Sequence, residues 1–213
     1  MSFRLRFGFY SEMTRRRTAT FALLGLAAAC WAISARRMSG MDMGTSTELG
    51  SLAFFTAAWV PMMAAMMLPG AVPTVSRFVR AGRSALAMPF FAGSYLAVWA
   101  LFGLAAYALY RPHGTAAAGA LTLAAGLYEL TPLKRECRRR CQRSVRSGLQ
   151  FGVYCVGSSI GLMVMLVALG VMSVAWMALV AALVLVQKLL PLWAWIDVPV
   201  ALAIVIWGVV MLT

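Results

Sequence analysis

The sequence predicts an all-α protein, a bundle of about seven helices that each cross a membrane. The mean hydropathy is +0.84, 62% of the residues are hydrophobic and 12% are charged, which is too few charged side chains for a water-facing surface. Apolar runs close to the ~20 residues that a helix needs to cross a hydrocarbon core recur with little polar sequence between them. We predict one transmembrane helical domain over 18–213 after a basic segment over 1–17.

The apolar runs predict helices over seven ranges: 18–34, 52–75, 85–109, 115–133, 153–171, 174–190 and 192–213. The last three follow one another closely, with Gly170, Pro191 and Asp197 as the main interruptions. Six crossings with one tilted or re-entrant piece is the alternative. The basic residues before the first run resemble a signal peptide, but Ser34-Ala35-Arg36-Arg37 lacks a small-residue cleavage site, so we expect an uncleaved first helix.

The basic residues predict the orientation of the helices. With the amino terminus in the cytoplasm, all but three of the 19 lysines and arginines lie in cytoplasmic segments, the exceptions being Arg36, Arg37 and Arg111. Short loops rich in Lys and Arg stay on the cytoplasmic side. We therefore expect a bacterial inner-membrane protein whose net charge of +13 reflects topology and contact with lipid headgroups, without nucleic-acid binding.

The first loop, over 35–51, is predicted to lie outside and is dense in methionine: Met38, Met41 and Met43. Thioethers suit Cu(I), a soft ion, and they tolerate a compartment that would oxidise thiols. A flexible loop with incidental methionines is the alternative interpretation.

The second predicted helix combines methionine with proline. Its methionines form two pairs with a spacing of four residues, Met62 with Met66 and Met63 with Met67, on adjoining helix faces. Three prolines remove backbone donors and predict a kinked or broken helix: Pro61, Pro69 and Pro73. Broken membrane helices often form binding sites. Methionine also fills irregular gaps in a core, and composition alone favours that interpretation.

A basic, cysteine-containing inner loop is predicted over 134–147. Cys137 and Cys141 share one face if the segment is helical, and Cys155 begins the next apolar run. Neighbouring guanidinium groups should favour their thiolates. Three thiolates would form a trigonal Cu(I) site or three quarters of a zinc site. Free thiols without a role are the alternative, and a disulfide is not expected in the cytosol.

Two carboxylates lie within apolar runs, where ionisable groups are costly. Glu129 precedes the break at Thr131-Pro132, and Lys134 or Arg135 could neutralise it. Its role as a structural ion pair or as a proton or metal site stays open. For Asp197 we expect an interfacial carboxylate that reaches toward water beside tryptophans.

The order of several motifs resembles a known family, the bacterial predicted metal-binding integral membrane proteins, a domain of unknown function. The motifs are Ala65-Met66-Met67-Leu68-Pro69, Thr131-Pro132-Leu133-Lys134 with Cys137 and Cys141, Tyr154-Cys155-Val156-Gly157, and Leu162-Met163. The resemblance covers about residues 52–190 and implies a helical bundle with a metal site. The positions that it carries over are Cys137, Cys141, Cys155, Met66 and Met67.

The chain departs from that pattern in three places. Ser158-Ser159-Ile160 stands where Cys-Cys-Trp is expected, Gln187 where an acidic residue commonly precedes Lys188, and Glu129 where glutamine is usual. Looser metal binding, a site that uses Met163 and Met165, or retention of the architecture alone are the alternatives.

The leading functional hypothesis is a non-enzymatic inner-membrane protein that binds a soft metal, Cu(I) before zinc, and moves it or hands it to a partner. The outer methionines would capture the ion, a relay would follow through Met62, Met63, Met66, Met67 and Met163, and the inner cysteines would bind it. The alternative is an accessory or assembly subunit of a larger membrane complex. One histidine, His113, supports no catalytic arrangement, and no P-loop is present.

Overall fold

The computed structural model describes residues 2–38, 49–80, 87–111, 113–143, 147–170, 173–190 and 197–213. Within these ranges the chain forms helices and no strand, so the predicted all-α class is confirmed. The helices are α1 (Ser2–Met38), α2 (Leu52–Arg80), α3 (Ala87–Leu109), α4 (Thr115–Glu129), α5 (Pro132–Arg143), α6 (Gly148–Gly170), α7 (Val174–Leu189) and α8 (Asp197–Val210).

Four helical segments are long and apolar enough to cross a membrane: Arg17–Met38, Leu52–Arg77, Met88–Leu109 and Gly148–Gly170. Helices α7 and α8 are apolar but shorter, and α4 has 15 residues. Within the described residues, each of the seven predicted apolar ranges therefore overlaps a helix, while the number of crossings stays a prediction. The basic segment and the first apolar run form one continuous helix, α1.

Helix α2 is continuous through its three prolines, so the broken helix, one of the two predicted outcomes, is wrong, and the kink stays a prediction. Proline lacks the N–H that would bind the carbonyl four residues earlier. For Pro61 that carbonyl belongs to Ala57, and Arg37 of α1 donates to its oxygen at 3.2 Å. A neighbouring helix thus supplies the donor that the proline lacks, and the α2 core remains tightly packed.

The basic, cysteine-containing run lies mostly on a helix. Helix α4 ends at Glu129, and a short turn over Leu130 and Thr131 leads into α5. Pro132 is the first residue of α5, a position at which its missing N–H costs no helical hydrogen bond. The α5 helix packs against α6, which places Cys137 and Cys141 beside the helix that carries Cys155.

Helix α6 lies at the centre and packs against α3, α4, α5 and α7. Its glycines permit close approach. A Cβ at Gly161 would lie 3.0 Å from the Ala125 carbonyl oxygen of α4, and one at Gly157 would lie 2.7 Å from the Cys137 sulfur. Gly157 and Gly161, which are four residues apart, therefore let α4 and α5 approach α6 closely.

Candidate functional site

A soft cluster of four side chains lies where α2, α3, α6 and α7 meet, with three of them around the ammonium group of the fourth. Its members are Met67, Tyr95, Cys155 and Lys188. Lys188 Nζ donates to Cys155 Sγ at 2.8 Å and lies 3.5 Å from Met67 Sδ. The Tyr95 hydroxyl lies 3.1 Å from the same cysteine sulfur and 3.4 Å from the ammonium. A thiol, a thioether and a phenol thus share one cation.

Three helices shape the approach to this cluster. The Lys188 side chain leaves the last turn of α7 and crosses α2 at Gly70, where a Cβ would lie 2.5 Å from Lys188 Cδ. The Lys188 ammonium also lies 6.0 Å from the ring centroid of Phe151, at the limit of a cation–π contact. Tyr95 packs on Phe151 with ring centroids 4.9 Å apart. Glycine on α2 and aromatic rings on α3 and α6 therefore set the path of the lysine.

Cys141 of α5 is a second buried thiol near this cluster. Burial raises its pKa to about 12, and the Cys155 thiol adds to the rise, while Lys188 and Arg77 oppose it. Burial also raises the pKa of Cys137 by more than Arg140 lowers it. The expectation that arginines would favour both thiolates is wrong, because desolvation of the sulfur outweighs the attraction of the neighbouring charges.

The structure does not bring the three predicted cysteines into one thiol cluster. Among the described residues, no three His, Cys, Asp or Glu side chains are grouped so that they could hold a metal ion. Cys137 lies against Gly157. Cys155 instead shares the Lys188 ammonium with Met67, so one thiol and one thioether contact the same nitrogen.

The other predicted methionines are distributed as follows. Met62, Met63, Met66 and Met163 are buried in the core. Met38 is the last residue of α1 and is 3% exposed, so its expected place in an outer loop is wrong, because the helix extends further than the apolar pattern suggested. Met41 and Met43 lie outside the described residues.

A second buried group, the charge network, joins α4, α5, α7 and α8. Its members are Glu129, Lys134, Arg138, Gln187 and Asp197. Lys134 pairs with Glu129 and lies 3.4 Å from Asp197, and Arg138 binds Asp197 at 2.6 Å. The predicted neutralisation of Glu129 by Lys134 is confirmed. The charges balance, as buried ions require.

The expected snorkelling of Asp197 is wrong. The side chain is 13% exposed and faces the two cations of α5. It begins α8, a position at which a carboxylate is also favoured by the helix dipole. The partner cations come from the segment that the sequence predicts as a basic inner loop over 134–147.

Two of the residues that depart from the family pattern, Glu129 and Gln187, contact each other. Gln187 Nε2 donates to Glu129 Oε2 at 2.8 Å. The resemblance expects an acid near position 187 and glutamine at position 129, so the carboxylate and the amide have exchanged places across one hydrogen bond. This exchange preserves one buried carboxylate for Lys134 and does not argue against a metal site.

Ser158, which replaces an expected cysteine, is buried and donates to the carbonyl of Cys155 at 2.9 Å. Its hydroxyl is thereby satisfied inside α6. The replacement removes a candidate soft ligand but leaves the backbone of Cys155 supported.

Helix α5 also holds the end of α7, which carries Lys188. Arg138 Nη2 donates to the Leu190 carbonyl at 3.1 Å, and the Gln142 amide donates to the carbonyls of Lys188 and Leu190, each at 3.3 Å. These bonds satisfy carbonyls that a helix end leaves without intrahelical donors. From the sequence, Lys188 served to predict which side of the membrane its segment faces. Its contacts in the soft cluster could not be predicted, because the partner residues lie far from it in the chain.

Comparison with known protein families gives one match. The model of the PpoB2 family, described as a copper chaperone, matches residues 56–211. The matched range includes every member of the soft cluster and of the charge network. Neither the curated proteins nor the solved structures contain a match. Because the family model covers well over half of the chain, the protein belongs to the PpoB2 family of copper chaperones.

Proposed function

We propose that this chain is a membrane protein that binds Cu(I) in the soft cluster and delivers it to a partner copper protein. The observation that carries the proposal is the meeting of Cys155 Sγ and Met67 Sδ around a single cation, the ammonium of Lys188. Thiolate and thioether are the ligands that select Cu(I). The family match supports copper as the metal, and the contacts of Lys188 support Cys155 and Met67 as its ligands.

The chemistry of the site follows from its donors. A cysteine binds metal as a thiolate, so Cys155 gives up its proton as Cu(I) binds. The methionine sulfur is neutral, and one thiolate with one thioether therefore makes an uncharged unit with Cu(I). Cys141 interacts electrostatically with both Cys155 and Lys188, and it is the candidate for an additional ligand. A site with few ligands leaves room for an incoming ligand from a partner.

The membrane location rests on the four long apolar helices and on the basic residues. We place the amino terminus in the cytoplasm, as the Lys and Arg distribution favours. Helix α5 would then lie at the cytoplasmic surface of a bacterial inner membrane, and the soft cluster close to that surface. This position permits delivery of copper to a cytoplasmic partner or uptake of copper from one.

Copper binding by the purified chain tests the proposal. The full chain in mild detergent, loaded anaerobically with Cu(I), should hold one copper ion per chain by mass spectrometry. Cys155→Ser should lose that copper and Met67→Leu should hold it weakly, because each removes one of the two sulfur donors. Cys30→Ser is the matched control, since Cys30 lies on α1 and should leave the stoichiometry unchanged. A wild-type chain that binds no copper would instead support the accessory-subunit alternative.

A further inference from the structure

The partners of Lys188 differ from those of the other buried or paired cations. The recorded ion pairs of the described residues join Lys134, Arg138, Arg139 and Arg140 to carboxylates. Lys188 Nζ instead contacts a thiol, a thioether and a phenol. The two sulfur atoms are poor partners for a strongly hydrated ammonium and good partners for a soft metal ion.

The ammonium also occupies the position that a bound metal would need. It lies within 3.5 Å of both Cys155 Sγ and Met67 Sδ. An ion held by both sulfurs has to lie between them and cannot share that space with the lysine nitrogen. The charge of the ammonium equals the charge of Cu(I).

We propose that Lys188 is a tethered cation that fills the copper position in the empty protein and is displaced when Cu(I) enters. The inference rests on the proposed function. Cu(I) replaces the ammonium beside the Cys155 sulfur, so no covalent bond of the lysine is broken. The ammonium carries its charge out of the cluster, and the proton that Cys155 gives up on metal binding goes to solvent. Return of the ammonium would then favour release of the metal to a partner.

The lysine has a path by which it can leave. Lys188 is half-buried, and its flexible stem crosses α2 at Gly70, where the missing side chain leaves space for it. Lysine stems commonly lie along apolar surface while the ammonium reaches water. The carbonyls of Lys188 and Leu190 are held by α5, so the side chain can move while the backbone of α7 stays in place.

The test compares Cu(I) affinity in the full-length Lys188→Gln variant with that of the wild type, by anaerobic competition against a chromophoric Cu(I) chelator. We expect Lys188→Gln to bind Cu(I) at least about tenfold more tightly, because a positive charge no longer competes for the sulfurs. Transfer of copper to the chelator should be slower by a similar factor. Arg139→Gln is the matched control, since it removes one positive charge from the exposed face of α5 and should leave both values unchanged.

A second variant keeps the charge of Lys188 but displaces its side chain. Gly70→Ala places a methyl group against the lysine stem and should shift affinity in the same direction by a smaller factor. If Lys188→Gln does not fold, Gly70→Ala decides, and an unchanged affinity there overturns the inference. Equal or weaker binding by Lys188→Gln also overturns it while leaving copper binding intact. Absence of copper from the wild type and from all variants would overturn the proposed function itself.

Discussion

Lys134 and Lys188 are both taken into the helical bundle, but their surroundings differ in kind. Lys134 is fully buried and lies between two carboxylates, Glu129 and Asp197. Lys188 is half-buried and lies between the sulfurs of Cys155 and Met67 and the hydroxyl of Tyr95. The first cation is fixed by its counterions, and the second occupies a position from which it can be exchanged. A lysine within the helical bundle can therefore hold helices together through its counterions, or it can occupy the position of a bound metal ion.

The two regions are linked through neighbouring residues of α7. Gln187 binds Glu129 of the charge network, and Lys188 enters the soft cluster. Helix α5 contributes Arg138 to the network and Cys141 to the surroundings of Cys155. A rigid network around the helix ends would hold the sulfur donors in place while the lysine side chain alone moves.

The largest expected effect is on the free energy of unfolding, when the ion pair between Lys134 and Glu129 is broken. Lys134→Gln leaves Glu129 buried without its cation, and removal of one partner from a buried ion pair costs about 3–5 kcal/mol. Lys188→Gln should cost far less, because the groups that Lys188 contacts are a thiol, a thioether and a phenol and not a carboxylate. Unfolding of both variants in mixed detergent micelles measures the difference. Equal losses would contradict the distinction between the two lysines.

A double variant sharpens this comparison. Lys134→Gln combined with Glu129→Gln removes both charges and should recover part of the stability lost in the single variant. Glu136→Gln is the matched surface control, because Glu136 pairs with Arg139 and Arg140 on the exposed face of α5. Its unfolding midpoint should remain that of the wild type.

A smaller effect concerns the pH dependence of the thiol next to the soft cluster. Burial raises the pKa of Cys141 from 9.0 to about 12, so the folded state favours the neutral thiol. The contribution of this raised pKa to the free energy of unfolding is fully present below pH 9.0 and is lost as the pH rises through about 12.

Alkylation by iodoacetamide, followed by peptide mass spectrometry, measures this shift, because the thiolate is the reacting form. In the folded chain the Cys141 rate should still be rising at about pH 10, whereas in the denatured chain it should level off above 9.0. The shape of the profile is the readout, since burial also slows access of the reagent. Coinciding profiles for the folded and denatured chain would show that burial does not hold Cys141 in its neutral form.

Local sequence patterns predicted most of the fold. Long apolar runs gave every apolar helix, and the Thr131-Pro132 pair gave the boundary between α4 and α5. The Glu129–Lys134 pair was also predictable, because the two residues are five apart across that turn. The continuity of α2 was not predictable, since Arg37 of another helix supplies the donor for the Ala57 carbonyl.

Contacts between distant segments account for what the sequence did not reveal. Arg138 meets Asp197 across 59 positions, and Lys188 meets Met67 across 121. No periodicity or spacing reports such pairs, because they are set by how the helices pack. For the cysteines, the sequence favoured a cluster of three thiols. The packing instead pairs one thiol with one thioether.

X-ray absorption at the copper edge of the Cu(I)-loaded full-length chain tests the central claim most directly, because it reports the atoms bound to the metal. The account predicts sulfur coordination in the wild type and the loss of one sulfur ligand in Met67→Leu, with Met163→Leu unchanged as the control buried methionine. Coordination by nitrogen or oxygen alone, or an identical sulfur shell in Met67→Leu, would contradict the assignment of copper to Cys155 and Met67.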